Sequence, residues 1–291
     1  MSDTIPEGSG VVIPKRLRTT VAEGRCVLFL GAGASMDAVD AAGNRLPHWG
    51  LLLAELLELI QESSEPDSPQ IVDEIQHMLE QGDFMSVAEW IDCRLGAGEF
   101  QRYMITRLAN ANSSKVHEIL SSKPFRAVMT TNYDRLAEVY WERRGKNPFV
   151  VIPQSPANIA VASEALAGSA QLTPIIRAHG ALNEPSSLIF SPRSYREIMF
   201  RNEPFRQFMS SIFRQFTFLF VGSSFRDPNF QSLLQWVYTI TQGNEAQHYA
   251  ILDNKGPVFK NYMKKNYNID FITYSTPTGD HSELLRLLES L

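Results

Sequence analysis

Cysteine is scarce in this chain. Cys26 and Cys93 are the only two among 291 residues, and no C-x-x-C pair can be formed from them. That excludes a thiolate zinc ribbon or knuckle and gives no disulfide framework, as expected of a protein of the reducing cytoplasm. An excess of positive charge is also lacking. The 27 Lys and Arg residues face 32 Asp and Glu, for a net charge of −5. Without a broad basic field, direct nucleic-acid binding is not expected. No apolar run reaches the length of a membrane span, and Met1 to Gly10 is too polar for a secretory signal. The letters contain no G-K-[ST] of a P-loop, no G-x-S-x-G elbow and no H-E-x-x-H. Histidine and cysteine nowhere take metal-ligand spacing, so no metal is expected. Repeats and low-complexity tracts are absent.

What is present is a βα rhythm. A hydrophobic content of 44% supports a substantial core, and the length suits one α/β domain with an inserted helical subdomain. A helix is expected over 14–24, then a buried strand at Cys26-Val27-Leu28-Phe29-Leu30. Leu46-Pro47-His48-Trp49 reads as a closing loop before a helix at 50–61. Ser, Glu, Pro and Asp over 62–69 mark a break, and from 70 to about 122 every apolar stripe has helical spacing. Strands resume at 125–129, 149–152, 174–178, 216–221, 248–252 and 269–274, with a last helix from 280. Strands alternating with helices predict a Rossmann-like, doubly wound, mostly parallel sheet. The core would comprise 26–61 and 123–291, and 62–122 would be a helical insertion within a single domain of 1–291.

Four of the expected strands end in small or polar residues: Gly31-Ala32-Gly33-Ala34-Ser35, Thr130-Thr131-Asn132-Tyr133-Asp134, His179-Gly180 and Gly222-Ser223-Ser224. In a parallel sheet all four share the carboxyl edge, where ligands of such folds collect. The glycine turn, followed by the positive end of a helix, suits a pyrophosphate. It is not the G-x-G-x-x-G of nicotinamide dehydrogenases, because Met36 stands at the third glycine position and helices replace the expected second strand.

Taken together, G-A-G-x-S, T-T-N-Y-D, an apolar strand ending in H-G and another ending in G-S-S-F-x-D-P-N resemble the sirtuin-like superfamily. The nearest likeness is to its bacterial branch in anti-phage defence, which includes the sirtuin-like domain of the Thoeris effector and the sirtuin partner of HerA-type ATPases. The resemblance implies a fold that binds NAD+ and breaks its nicotinamide–ribose bond. Two departures bear on the activity. Sirtuin deacylases carry a four-cysteine zinc module that this chain cannot form, and Ala181 replaces the aspartate that often follows His-Gly. NAD+ hydrolysis is therefore expected ahead of protein deacylation or ADP-ribosyl transfer. A non-catalytic NAD+ or ADP-ribose binding module is the other alternative.

On this resemblance, Asn132 orients the ribose and the attacking water, its amide able to donate and accept, and His179 is the general base. Gly31, Ala32, Gly33 and Ser35 would wrap the pyrophosphate, Thr131 would also contact the NAD+, and Asp134 would accept from a ribose hydroxyl or the nicotinamide amide. Gly222 and Ser224 would meet the adenosine side. Read as structure alone, Asp134 is a helix cap, Asn132 another, and Asp227-Pro228 a helix start. His48 is a second histidine candidate, and Trp49 a possible flank of the nicotinamide pocket. An NADase must be restrained in its host and no sensor is recognisable in the letters. Gating by homo-oligomer formation or by a partner such as a HerA-type ATPase is therefore expected.

Overall fold

Apolar residues spaced for burial on both faces define seven short strands, as parallel sheets require. In the computed structural model they are β1 Cys26–Leu30, β2 Ala127–Thr130, β3 Pro148–Val151, β4 Thr173–Arg177, β5 Thr217–Val221, β6 His248–Asp253 and β7 Ile269–Tyr274. The structure describes residues 11–291 except 41–42, 64–65, 169–171, 226–227, 242–245, 254–255 and 277–280, together with the side chains of 97, 228–230, 233 and 240–241. Met1 to Gly10 and Asp227 therefore fall outside the described residues.

Every strand pair is parallel, and the order is β3-β4-β2-β1-β5-β6-β7. β1 is central. The chain builds leftward through β2, β3 and β4, then crosses to β5 on the other side of β1. The strand order thus reverses between β1 and β5, where open α/β sheets form their ligand crevice. The helices are α1 Lys15–Ala22, α2 Trp49–Gln61, α3 Pro69–Glu80, α4 Phe84–Arg94, α5 Ala97–Leu108, α6 Lys115–Ser121 and α7 Leu136–Arg143. They continue with α8 Pro156–Ala167, α9 Pro192–Arg196, α10 Glu203–Gln215, α11 Pro228–Thr241, α12 Pro257–Tyr267 and α13 Ser282–Glu289.

Alternate residues of a strand point to opposite faces, and β1 shows it. Val27 and Phe29 join one core with residues of α8 to α12, whereas Cys26, Leu28 and Leu30 join the other with residues of α1, α6, α7 and α13. Cys26 is thus a small core residue. A third apolar cluster lies off the sheet. It packs α2 with α3, α4 and α5 and takes in Tyr133, Leu182 and Phe190, which come from segments beyond the strand ends. Between β1 and β2 the described residues form helices, one 3-10 turn and two isolated bridges, Val39 with Arg45 and Val39 with Ser113.

Candidate active site

Because all strands run one way, the four polar clusters emerge on the same edge from the neighbours β4, β2, β1 and β5. After β1 the chain makes a single 3-10 turn, Ala32–Ser35, rather than a helix of useful dipole. The glycines there have a packing reason. Gly31 N–H donates to the Val221 carbonyl at 3.0 Å, and Gly33 N–H to the Gly222 carbonyl at 2.8 Å. A Cβ on Gly31 or Gly33 would sit 2.7 or 2.8 Å from the Gly222 oxygen, and one on Gly222 would lie 1.9 Å from the Ala34 nitrogen. Gly222 also has φ +70°, a conformation L side chains disfavour. The close backbone approach that the sequence suggested for a phosphate is therefore used between two loops of the protein. Ala34 N–H is likewise taken, by the Gly31 carbonyl at 2.9 Å. Ala32 is exposed and Gly33 half-buried, so the turn keeps a solvent-facing side.

The loop after β2 is fixed atom by atom. Thr130 Oγ1 donates to the Leu30 carbonyl at 3.1 Å and accepts the Asn132 N–H at 3.0 Å. Thr131 N–H reaches the Leu30 carbonyl at 3.3 Å. Asn132 Nδ2 donates to the Gly31 carbonyl and to Ser35 Oγ, both at 3.1 Å. A carbonyl only accepts, so the amide nitrogen must face it and the flip is settled by the network. Both Nδ2 hydrogens are then used, and Oδ1 is what the side chain offers a ligand. Asn132 here presents an acceptor, narrower than the donor-and-acceptor role read from the residue type. Ser35, having accepted from Asn132, donates to Asp134 Oδ2 at 2.8 Å, and Asp134 Oδ1 accepts the N–H of Leu136, the first residue of α7, at 3.0 Å. Asp134 and Ser35 are both buried. Tyr133 ties the loop to the far side of the site through its hydroxyl, which donates to the Ile189 carbonyl at 2.6 Å.

His179 lies two residues past Arg177, which pairs with Thr130 in the sheet, so His179 and Asn132 occupy equivalent positions on adjacent strand ends. The imidazole is half-buried, with Nε2 3.0 Å and Nδ1 3.3 Å from the Tyr195 hydroxyl on α9. The two rings meet edge-on at 90°. Gly180 follows with φ +80°, and a Cβ there would lie 2.1 Å from the Ser187 carbonyl oxygen, so the turn after His179 admits glycine alone. Gly222 is half-buried and Ser224 exposed, in the loop after β5. Of the weaker candidates, His48 Nδ1 caps α2 by accepting the Leu51 N–H at 3.2 Å, and Trp49 packs edge-on against Phe190 in the third cluster.

Three residues beneath the site were not singled out from the letters. Arg177, buried in β4, is one and Tyr195 another. The third is His117 on α6, whose Nδ1 lies 2.9 Å from Ser114 Oγ. The Ser114 hydroxyl donates to Asp37 Oδ1 at 2.7 Å, which makes His117 Nδ1 the donor in that pair. Burial pushes the His117 imidazolium pKa down, against the pull of the Asp134 and Asp37 carboxylates. Arg177 had a signal: a guanidinium within the apolar run Ile175-Ile176-Arg177-Ala178 must find partners if buried. Tyr195 had none, since its α9 lies in the polar stretch Ser191–Arg196.

A SIR2-like domain model matches residues 126–272, from the residue before β2 into β7. The chain belongs to the SIR2-like family. The matched stretch holds the loops after β2, β4 and β5, but not the Gly31–Ser35 turn. Among curated relatives, this SIR2-like chain is 25% identical over 259 residues to the NAD(+) hydrolase ThsA of Cytobacillus dafuensis, covering 88% of the chain and 45% of that protein. It is 25% identical over 236 residues to the NAD(+) hydrolase ThsA of Bacillus cereus (strain MSX-D12), covering 80% and 44%. The NAD(+) hydrolase ThsA of Enterococcus faecium is 24% identical over 247 residues, covering 83% and 46%. The SIR2-like chain therefore spans less than half the length of these relatives.

Proposed function

We propose that this SIR2-like chain is an NAD+ glycohydrolase that releases nicotinamide and ADP-ribose. The observation that carries the reading is the Asn132 amide fixed against the turn after β1, with His179 on the adjacent strand end. NAD+ lies along the carboxyl edge, its pyrophosphate against the outer face of Ala32 and Gly33 near Ser35, and its adenosine side toward Gly222 and Ser224. Thr131 and Asp134 complete the ribose wall, Asp134 acting through Ser35. The C1′–N bond breaks and nicotinamide leaves neutral with the bonding electron pair. The sugar takes oxocarbenium character, which the Asn132 Oδ1 dipole stabilises while it accepts from a ribose hydroxyl or the attacking water. Water adds at C1′, and His179 takes the proton it loses.

The likeness to proteins named NAD(+) hydrolase supports this chemistry. We further read the chain as a cytoplasmic anti-phage effector that depletes NAD+, with 62–122 as a helical insertion. Its activity is gated by homo-oligomer formation or by a partner such as a HerA-type ATPase. It needs no metal and binds neither nucleic acid nor membrane; among the described residues no helix is long and apolar enough to cross one.

The test is incubation with NAD+ and chromatography for nicotinamide, alone and with a candidate partner. Asn132→Ala and His179→Ala should each abolish release while the protein stays folded. Intact NAD+ with measurable NAD+ binding would favour the non-catalytic module. Nicotinamide released only with an acylated or acceptor peptide would favour deacylation or ADP-ribosyl transfer. Light scattering of the protein with and without partner tests gating, and a constitutively active monomer would defeat it.

A further inference from the structure

We infer that Arg177 is a positioning residue: a buried guanidinium clamp that holds the carbonyls of the Asn132 loop and so sets the direction of the Asn132 amide. The inference rests on the catalytic reading of Asn132.

Arg177 is 2% exposed, at the end of β4. Its Nε donates to Glu138 Oε1 on α7 at 2.7 Å, and one terminal nitrogen shares that oxygen. The other terminal nitrogen, Nη1, donates to the Asn132 carbonyl at 2.9 Å, and Nη2 also reaches the Asp134 carbonyl at 2.6 Å. One planar fork thus binds two carbonyls of the same irregular loop and a carboxylate on the helix that follows it. Lysine, a point charge without the fork, cannot hold both carbonyls in these directions.

The clamp completes the restraint of Asn132. Its N–H is held by Thr130 Oγ1, its carbonyl by Arg177 and its amide nitrogen by Gly31 and Ser35. Arg177 also lies two residues before His179, so one side chain references the amide loop to the strand that carries the imidazole. Glu138 Oε2 is buried with no hydrogen-bond partner. The guanidinium's remaining donors go to the two loop carbonyls rather than to that oxygen.

Arg177→Lys and Glu138→Gln separate positioning from stability. Glu138→Gln weakens the ion pair but keeps Oε1 as an acceptor and leaves both loop carbonyls on Arg177. It should lower the melting temperature and leave kcat within about threefold. Arg177→Lys should lower kcat by about ten- to a hundredfold with KM for NAD+ little changed, the scale of a sub-ångström to ångström misplacement. Activity losses that track melting temperature across both variants would overturn the inference. Should Arg177→Lys not fold, Thr130→Val removes the acceptor of the Asn132 N–H and loosens the same loop from its other side. It should lower kcat in the same selective way, and unchanged kcat there would overturn the proposal. Amide exchange is the readout independent of turnover: Arg177→Lys, or Thr130→Val in its place, should speed exchange over 131–135 while β2 stays protected. Unchanged exchange there overturns the clamp. A wild-type protein that releases no nicotinamide defeats the catalytic reading, and exchange alone then decides whether Arg177 orders the loop.

Discussion

Gly222→Ala and Gly145→Ala form a matched pair that isolates the contact between the β1 and β5 loops. The two glycines have nearly the same positive φ, +70° and +68°. An alanine in the left-handed region costs about 1–2 kcal/mol, and both variants carry that cost. They differ in surroundings. A Cβ on Gly145 meets nothing within 4 Å, whereas one on Gly222 would lie 1.9 Å from the Ala34 nitrogen and 2.5 Å from the Gly33 carbonyl carbon. Backbone cannot rotate aside as a side chain can, so the loops must part. Overpacking of this kind adds about 1–3 kcal/mol. With about 2–4 °C lost per kcal/mol in chains of this size, Gly145→Ala should melt about 2–8 °C lower and Gly222→Ala about 4–20 °C lower. The displacement also has a direction. Ser35 follows Ala34, and Ser35 Oγ is one of the two acceptors that hold Asn132 Nδ2. Gly222→Ala should therefore lose nicotinamide release beyond its loss of stability, and Gly145→Ala should retain it. Scanning calorimetry and the release assay read the two effects. Equal melting temperatures for the pair would refute the close loop contact.

Other expectations follow from neighbouring contacts. Ser35→Ala removes the link between Asn132 and Asp134 and should cost about 1–2 kcal/mol, with a smaller activity loss than Asn132→Ala; denaturant melts and kcat measure each. Tyr195→Phe removes the hydroxyl beside both nitrogens of His179 and should lower kcat while KM holds. Unchanged kcat would remove Tyr195 from the site. His248 gives a stability test. Burial among aromatic rings pushes its pKa from 6.5 down to about 3, with Nδ1 accepting the Phe218 N–H at 3.1 Å. Between these values the unfolded chain binds the extra proton and the folded chain does not, so this group's contribution is lost as pH falls from 6.5 toward 3. At pH 5 the loss is about 2 kcal/mol relative to pH 8, and His248→Asn, which keeps an acceptor near the Nδ1 position, should flatten that part of the profile in urea melts.

The sheet was legible in the letters because parallel strands buried on both faces are continuous apolar runs. Cys26–Leu30 and Ile269–Tyr274 fall where they were expected, and the other strands within a residue or two. The four polar loops followed from the same reasoning, since a parallel sheet sends every strand's end to one edge. The glycines were legible as a demand for close approach but not as to its partner. Which backbone comes within 3 Å of Gly33 depends on β5, nearly two hundred residues later. Arg177 was legible only as a buried charge in need of partners, and Tyr195 not at all, for a related reason. Their roles consist of contacts to Asn132, Asp134 and His179 that no periodicity encodes. The amide of Asn132 shows the limit within one residue: its type gives two kinds of hydrogen bond, and only its neighbours decide which kind is left over.

The off-sheet cluster has a mechanical consequence. Phe190 is gripped by Phe100 of α5 at 4.6 Å and by Trp49 of α2 at 5.2 Å, and Tyr133, adjoining Asn132, is embedded in the same apolar mass. The side helices and the loop bearing the amide are thus one solid body in close packing. A load applied to α2 or α5 arrives at the Tyr133–Asn132 loop without crossing the sheet.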